Sequence, residues 1–130
     1  MFESCFAVKE WTFAGKTKNA TVVDVYDGDT VTIVMWIGIQ RYSFKFRLYG
    51  IDTPEIRTKN AKEKSEAIKS RDYLSACVLG KRVKIVFADS NDKYGRLMGT
   101  IYVRGVDINQ KMVSDGHAKK YLGGKKEAFV

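Results

Sequence analysis

Three short β-rich runs, 21–26, 30–37 and 42–49, follow one another with only Asp27-Gly28 and Gly38 between them as turn signals. Asp-Gly is a preferred hairpin dipeptide, so the stretch reads as a three-stranded antiparallel meander. In the third run Phe44, Phe46 and Leu48 share one face, which directs Arg47 to the other, outward or into a cleft. Over 61–79 the pattern changes. Ala67, Leu74, Cys77 and Val78 recur at roughly helical intervals among Lys, Glu and Ser, and Gly80 supplies a stop. Val83, Ile85 and Phe87 then alternate again, a polar loop covers 88–96, and 99–103 is strand-like. A turn at Arg104-Gly105 leads into a short helix over 108–114 that Gly116 ends.

The fold class is therefore β-rich α+β, with a helix inserted after the third of five strands and one or two further short helices towards the C-terminus. Lysine and arginine number 23 against 15 acidic residues, a formal charge of +8, which suits an anionic partner, either nucleic acid or an acidic membrane. Five β-runs in a basic chain point to a small closed barrel of the oligonucleotide-binding type. The 130 residues suffice for one domain with its own core. No run approaches the ~20 apolar residues of a membrane span, and Glu3, Lys9 and Glu10 interrupt the place of a signal peptide, so the expectation is an intracellular protein with no membrane partner. Cys5, Cys77 and His117, the only residues of their kinds, cannot complete a four-ligand zinc site within one chain. Two free thiols are expected, with a 5–77 disulfide the other option.

Candidate chemistry begins with Asp27-Gly28-Asp29-Thr30 and Asp52-Thr53-Pro54-Glu55. Each alone is an ordinary turn. Together they set four carboxylates beside strand ends of a cationic chain, and if the fold gathers them, one must take up a proton or a hard cation must neutralise the group. Oxygen donors without nearby Cys or His favour calcium or magnesium, and the spacing after Asp29 excludes an EF-hand. Asp92-Lys93-Tyr94-Gly95-Arg96 adds a second arginine, a lysine and an aromatic ring around a glycine. A guanidinium donates two parallel hydrogen bonds to a phosphate, so Arg47 and Arg96 with a metal and a carboxylate base suffice for phosphodiester hydrolysis. Other signals carry less. Gly15-Lys16-Thr17 lacks the first glycine of a P-loop, Asn19-Ala20-Thr21 matters only for an exported eukaryotic chain, and His117 has no nucleophile partner. The tail Lys119-Lys120-Tyr121 to Lys125-Lys126 suits either nucleic-acid contact or a solvated terminus.

The ordered set Asp27-Gly-Asp-Thr30, Arg47-Leu-Tyr-Gly-Ile-Asp-Thr-Pro-Glu55, Asp92-Lys-Tyr-Gly-Arg96 and Gly105, Asn109, Met112-Val113, Gly116 closely resembles the staphylococcal nuclease (thermonuclease) family, over roughly 20–121. The resemblance implies an oligonucleotide-binding barrel with appended helices. It also implies a calcium-dependent hydrolase of DNA and RNA that leaves 3′-phosphate ends. By position, Asp29 and Asp52 look like the metal carboxylates, the Thr53 carbonyl like a further ligand and Asp27 like a supporting carboxylate. Glu55 looks like the general base or the residue that orients the attacking water, Arg47 and Arg96 like the phosphate clamps, Lys93 and Tyr94 like contacts to a terminal phosphate, and Tyr121 like a base-stacking ring. Residues 56–64 are basic like the family's mobile loop but lack its proline and glycine. The expected organisation is an N-terminal extension over 1–19, in which Trp11 and Phe13 have no assigned role, a nuclease domain over 20–122 and a basic tail over 123–130. A monomer is expected. The alternative from another class is a non-catalytic module of the same barrel that binds nucleic acid or protein.

Overall fold

The computed structural model describes residues 11–121. Strands β1 (Thr17–Asp27), β2 (Thr30–Ile37) and β3 (Gln40–Leu48) form the meander, followed by the two-residue β4 (Ile51–Asp52) and helix α1 (Ala61–Val78). Then come β5 (Arg82–Phe87), β6 (Leu97–Val103), the short β7 (Val106–Asp107), helix α2 (Ile108–Ser114) and β8 (Lys119–Lys120). The main sheet runs β3-β2-β1-β5-β6-β7, and β3 also pairs with β6, which closes five strands into a barrel. That last pairing is parallel, Phe46 with Leu97, Arg47 with Met98 and Leu48 with Gly99. The packing of β6 against β5 requires glycine at 99, because a Cβ there would lie 2.3 Å from the Val86 carbonyl oxygen.

Alternation makes the barrel. Val31, Ile33, Phe46, Leu48, Ile85 and Ile101 point inward and are fully buried, while their strand neighbours face solvent or the cleft. Leu74 and Val78 of α1 and Met112 of α2 seal the ends of this core. Helix α1 starts where the Asn60 side chain accepts the Glu63 N–H at 3.0 Å. Its buried face is Ala67, Ser70, Leu74 and Val78, so Ser70 takes the place expected for Cys77, a free and half-buried thiol. Ser70 tolerates burial because its hydroxyl donates to the His117 carbonyl at 2.8 Å. The other cysteine, Cys5, lies outside the described residues, as does the tail from 122 onward.

The N-terminal strand is longer than its apolar pattern indicates. β1 begins at Thr17 and pairs there with Val86 of β5, although 17–19 falls in the expected extension. These residues are polar because that end of the strand is largely exposed. Phe13 packs on the core with its ring 4.8 Å from Phe87 and 5.6 Å from Phe44, and Trp11 stands edge-on to Phe13 at 4.5 Å. The two aromatics left without a role in the sequence thus cover one edge of the barrel. The strand β6 likewise starts at Leu97, two residues before the expected 99, while β2 and α2 span 30–37 and 108–114 as read. Among the described residues no helix is long and apolar enough to cross a membrane.

Candidate active site

The β1–β2 turn is where the first two carboxylates sit. Asp27 pairs with Thr30 across it, and Gly28 is needed for space: a Cβ would come within 2.8 Å of both the Ser70 Cβ and the Thr53 Cγ2. Its φ is not positive, so the Asp-Gly signal marks a close approach rather than a left-handed hairpin turn. The turn can press against residue 53 because Asp29 staples it there. Its Oδ2 accepts the Thr53 N–H at 3.2 Å, and its Oδ1 accepts the Thr30 hydroxyl at 3.1 Å. Asp27 Oδ1 in turn accepts the Asp29 N–H at 3.1 Å. Asp27, Asp29 and Asp52 are all buried.

Arg47 leaves β3 on the face that alternation assigns it and turns into the cleft. Nη1 donates to the Leu48 and Ile51 carbonyls, both at 3.0 Å, and Nη2 lies 3.3 Å from Asp52 Oδ1 and 3.5 Å from Asp29 Oδ2. The second arginine is set by its own loop. Asp92 Oδ1 accepts the Tyr94 and Arg96 backbone N–H groups at 2.9 and 2.8 Å, and its Oδ2 accepts Arg96 Nε. Arg96 Nη1 then reaches Thr30 Oγ1 at 3.1 Å, so Thr30 bridges the first acidic turn to this loop. Tyr94 stands out into solvent, 72% exposed, with Lys93 Nζ 5.2 Å and the Arg96 guanidinium 5.5 Å from its ring.

Glu55 is exposed and its backbone N–H donates to Glu63 Oε1 at 3.4 Å, while Glu63 Oε2 accepts the Thr58 hydroxyl at 3.1 Å. The first turn of α1 therefore holds the segment that carries Glu55. Tyr121 reaches the cleft because β8 pairs with β4, and its N–H donates to the Gly50 carbonyl at 2.8 Å. Every sequence candidate except Thr53 lines one cleft of about 780 Å³. Thr53 sits behind it, buried, with a hydroxyl that finds no hydrogen-bond partner among the described residues. Residues 56–64 border the site through Arg57, whose guanidinium lies 6.0 Å from the ring of Tyr26, itself a cleft residue.

Gathering these acids has an electrostatic consequence. Burial first, then the neighbouring charge of Asp29, and finally that of Glu55, push the Asp27 carboxyl up from 3.8 to about 7. A cation would relieve that crowding, and the donors are all oxygens, which fits a hard divalent ion. The cage is not ready-made, since among the described residues no three such side chains converge as a metal site and Arg47 lies between Asp29 and Asp52.

Four supporting residues carried no role in the sequence reading: Thr30, Glu63, Asp92 and Asn109. Thr30, Asp92 and Asn109 belong to the motifs that marked the resemblance, and that was their only signal. Asn109 is buried in α2 and donates to the Tyr49 and Gly99 carbonyls at 2.9 and 3.0 Å while accepting the Ile101 N–H at 3.2 Å. It thereby pins the Tyr49-Gly50 turn that aims β4 at the cleft.

A sequence profile of the family described as staphylococcal nuclease homologue matches residues 45–128. The matched stretch includes Arg47, Asp52, Thr53, Glu55, Lys93, Tyr94, Arg96 and Tyr121, whereas Asp27 and Asp29 precede it. A protein of Escherichia coli O157:H7 described as an uncharacterized endonuclease is 35% identical over 104 residues, covering 79% of this chain and 61% of its own length. An uncharacterized protein of Methanocaldococcus jannaschii is 29% identical over 124 residues, covering 78% of this chain and 58% of its own. A staphylococcal-like nuclease of Arabidopsis thaliana is 35% identical over 85 residues, 65% of this chain and 24% of that protein. The chain thus spans about three fifths of the two microbial relatives and a quarter of the plant one.

Proposed function

The chain belongs to the staphylococcal nuclease family, and from that premise we propose that it is a calcium-dependent endonuclease that hydrolyses DNA and RNA without regard to the sugar and leaves 3′-phosphate ends. The observation that carries the reading is the placement of Arg47 and Arg96 on either side of the acidic turn, in one cleft with Glu55. A folding role alone does not call for two guanidinium groups, three buried carboxylates and an exposed glutamate around the same space.

In this reading Asp29, Asp52 and the Thr53 carbonyl would hold calcium, with Asp27 beside them. When bound, the ion polarises a phosphate and favours deprotonation of water. Glu55 takes the proton of the attacking water, whose oxygen bonds to phosphorus as the bond to the 5′-oxygen breaks and that oxygen picks up a proton. Arg47 and Arg96 stabilise the charge that builds on the phosphoryl oxygens. Lys93 and Tyr94 hold a terminal phosphate, and the Tyr121 ring stacks on a base.

One observation favours the alternative, a binding module that keeps the barrel without the chemistry: Arg47 donates to two backbone carbonyls and to Asp52. Cleavage of a fluorescently labelled single-stranded DNA decides between them, run with calcium, with magnesium and with excess chelator, and with Glu55→Ala beside the wild type. The nuclease reading expects cutting that disappears in chelator and in the variant. Intact DNA under every condition, from folded protein, moves the assignment to the binding module.

A further inference from the structure

Away from the cleft, the outer face of β1, β5 and β6 carries a groove of about 630 Å³ that the hydrolysis does not use. Arg82, Lys84 and Arg104 line it together with Asn19 and Tyr102, and among the described residues no carboxylate does. Strand register assembles this set, since Asn19 pairs with Lys84 and Lys84 with Tyr102, while Val83, Ile85 and Ile101 of the same strands point into the core. Among the described residues none of the three cations has an acidic partner within ion-pair distance. Repulsion between them is therefore uncompensated within the described fold, which suits an anionic ligand.

Arg104 is also held in place at a cost. It is the one non-glycine residue with a positive φ among those described, at +50°, and Gly105 follows at +80°. Positive φ at both central positions makes a hairpin turn that ordinarily takes Asn, Asp or Gly first. An arginine there accepts backbone strain and sets a guanidinium at the end of the groove.

The groove and the cleft share a face. Met98, Thr100 and Tyr102 alternate outward along β6, Met98 lines the cleft beside its register partner Arg47, and Tyr102 lines the groove. Four residues of strand separate them, ~13 Å. A strand bound in the cleft needs only a few nucleotides to reach the groove along that face.

We propose that the groove is a second track for single-stranded nucleic acid, with backbone phosphates on Arg82, Lys84 and Arg104 and an unpaired base on the Tyr102 ring. The inference rests on the nuclease reading for what occupies the cleft. It adds that the chain grips substrate beyond the bond it cuts, so affinity grows with length.

The test uses the full chain and labelled thymidine oligomers of about 4 and about 16 nucleotides, the range of site sizes for a barrel of this kind. Binding is read by fluorescence anisotropy in excess chelator, and cleavage of the shorter oligomer is read separately with calcium. Lys84→Ala combined with Arg104→Asn removes two charges, and asparagine tolerates the left-handed backbone. This variant should bind the longer oligomer about tenfold more weakly and lower the slope of log K against log salt by about 0.7 per cation removed. Its kcat/KM on the shorter oligomer should equal that of the wild type. Tyr102→Ala should weaken the longer oligomer roughly fivefold at an unchanged salt slope. Lys69→Ala with Arg71→Ala on α1 removes the same charge from another face and should shift affinity less than about twofold.

Equal binding of the longer oligomer by the wild type and the groove variant overturns the proposal, as does an equal loss in the α1 control. So does loss of binding to anionic phospholipid vesicles without loss of the oligomer, which reassigns the groove to a membrane surface. Lys84→Glu, a single exposed change, repeats the test should the double variant fold poorly. If the wild type cuts nothing, the nuclease reading falls, and anisotropy still decides the groove.

Discussion

Asp27 is squeezed between burial and two acidic neighbours, and its carboxyl titrates near 7 where an unfolded chain would titrate near 3.8. The folded state therefore binds this proton more tightly than the unfolded one, so the group's contribution is full below about pH 4 and is lost as pH rises towards 7. The difference between the two states' proton affinities caps that contribution at ~4 kcal/mol. Asp27→Asn keeps an oxygen to accept the Asp29 N–H and removes the charge. In chelator at pH 8 the variant should melt higher than the wild type, with a flatter stability profile between pH 5 and 8; a lower melting temperature at pH 8 would contradict the electrostatic account. Glu55 and Arg47 differ in kind, because their proposed work is done on substrate. Glu55→Ala and Arg47→Ala should each lower turnover ~10²-fold or more, the usual loss on removing a base or an electrostatic stabiliser. Single-turnover cleavage measures this, and activity within a few-fold of wild type refutes the role assigned to the residue replaced.

At the scale of elements, strands supply Asp27, Arg47 and Asp52, and connections organise the rest of the site. The turn after β1, the segment after β4 and the loop between β5 and β6 each carry part of it, and each is organised by a carboxylate that accepts backbone N–H groups: Asp29 for Thr53, Glu63 for Glu55, Asp92 for Tyr94 and Arg96. Asp92 makes the sharpest case. Asp92→Ala leaves the Arg96 side chain and two N–H groups without their acceptor, in a loop outside the core. Catalytic efficiency should fall roughly tenfold through loss of positioning, with the melting temperature little changed. Asp92→Asn should recover much of it, because Oδ1 still accepts both N–H groups; no difference between Ala and Asn would mean that the loop does not position Arg96 through this residue. These connections also mark where sequence reasoning stops. Alternation located the outward face of β3 and helical spacing located α1, since burial dictates those patterns, while a β-rich run and turn and stop signals located β2 and α2. Nothing periodic marks Gly28 as a contact with Thr53 and Ser70, or Phe13 as part of the core, because both depend on residues distant in the chain meeting in space.

For the molecule as a whole, barrel closure is what makes a cleft out of distant motifs. The parallel pairing of Arg47 with Met98 brings β3 beside β6, and the loop before β6 delivers Arg96 to Thr30, 66 residues away in sequence. The motif order foretold which residues would meet, through the family resemblance, but their proximity exists only in the closed barrel. A ligand that touches the turn after β1, the β4 segment and the 92–96 loop at once therefore binds the folded chain and has no counterpart in the unfolded one. A nucleotide bisphosphate with calcium, at about one hundred times its dissociation constant, should stabilise the fold by about 2.7 kcal/mol. For a chain of this size that is a rise of about 10 °C in Tm. The shift should vanish in chelator if calcium completes the site, and it should vanish in Asp29→Ala, which removes the proposed metal carboxylate and the staple to Thr53 together. Asp29→Asn separates the two effects, because its side-chain oxygen can still accept the Thr53 N–H while the negative charge is gone. A full shift in Asp29→Asn with calcium would show that the residue acts as a staple alone, and would remove it from the metal site.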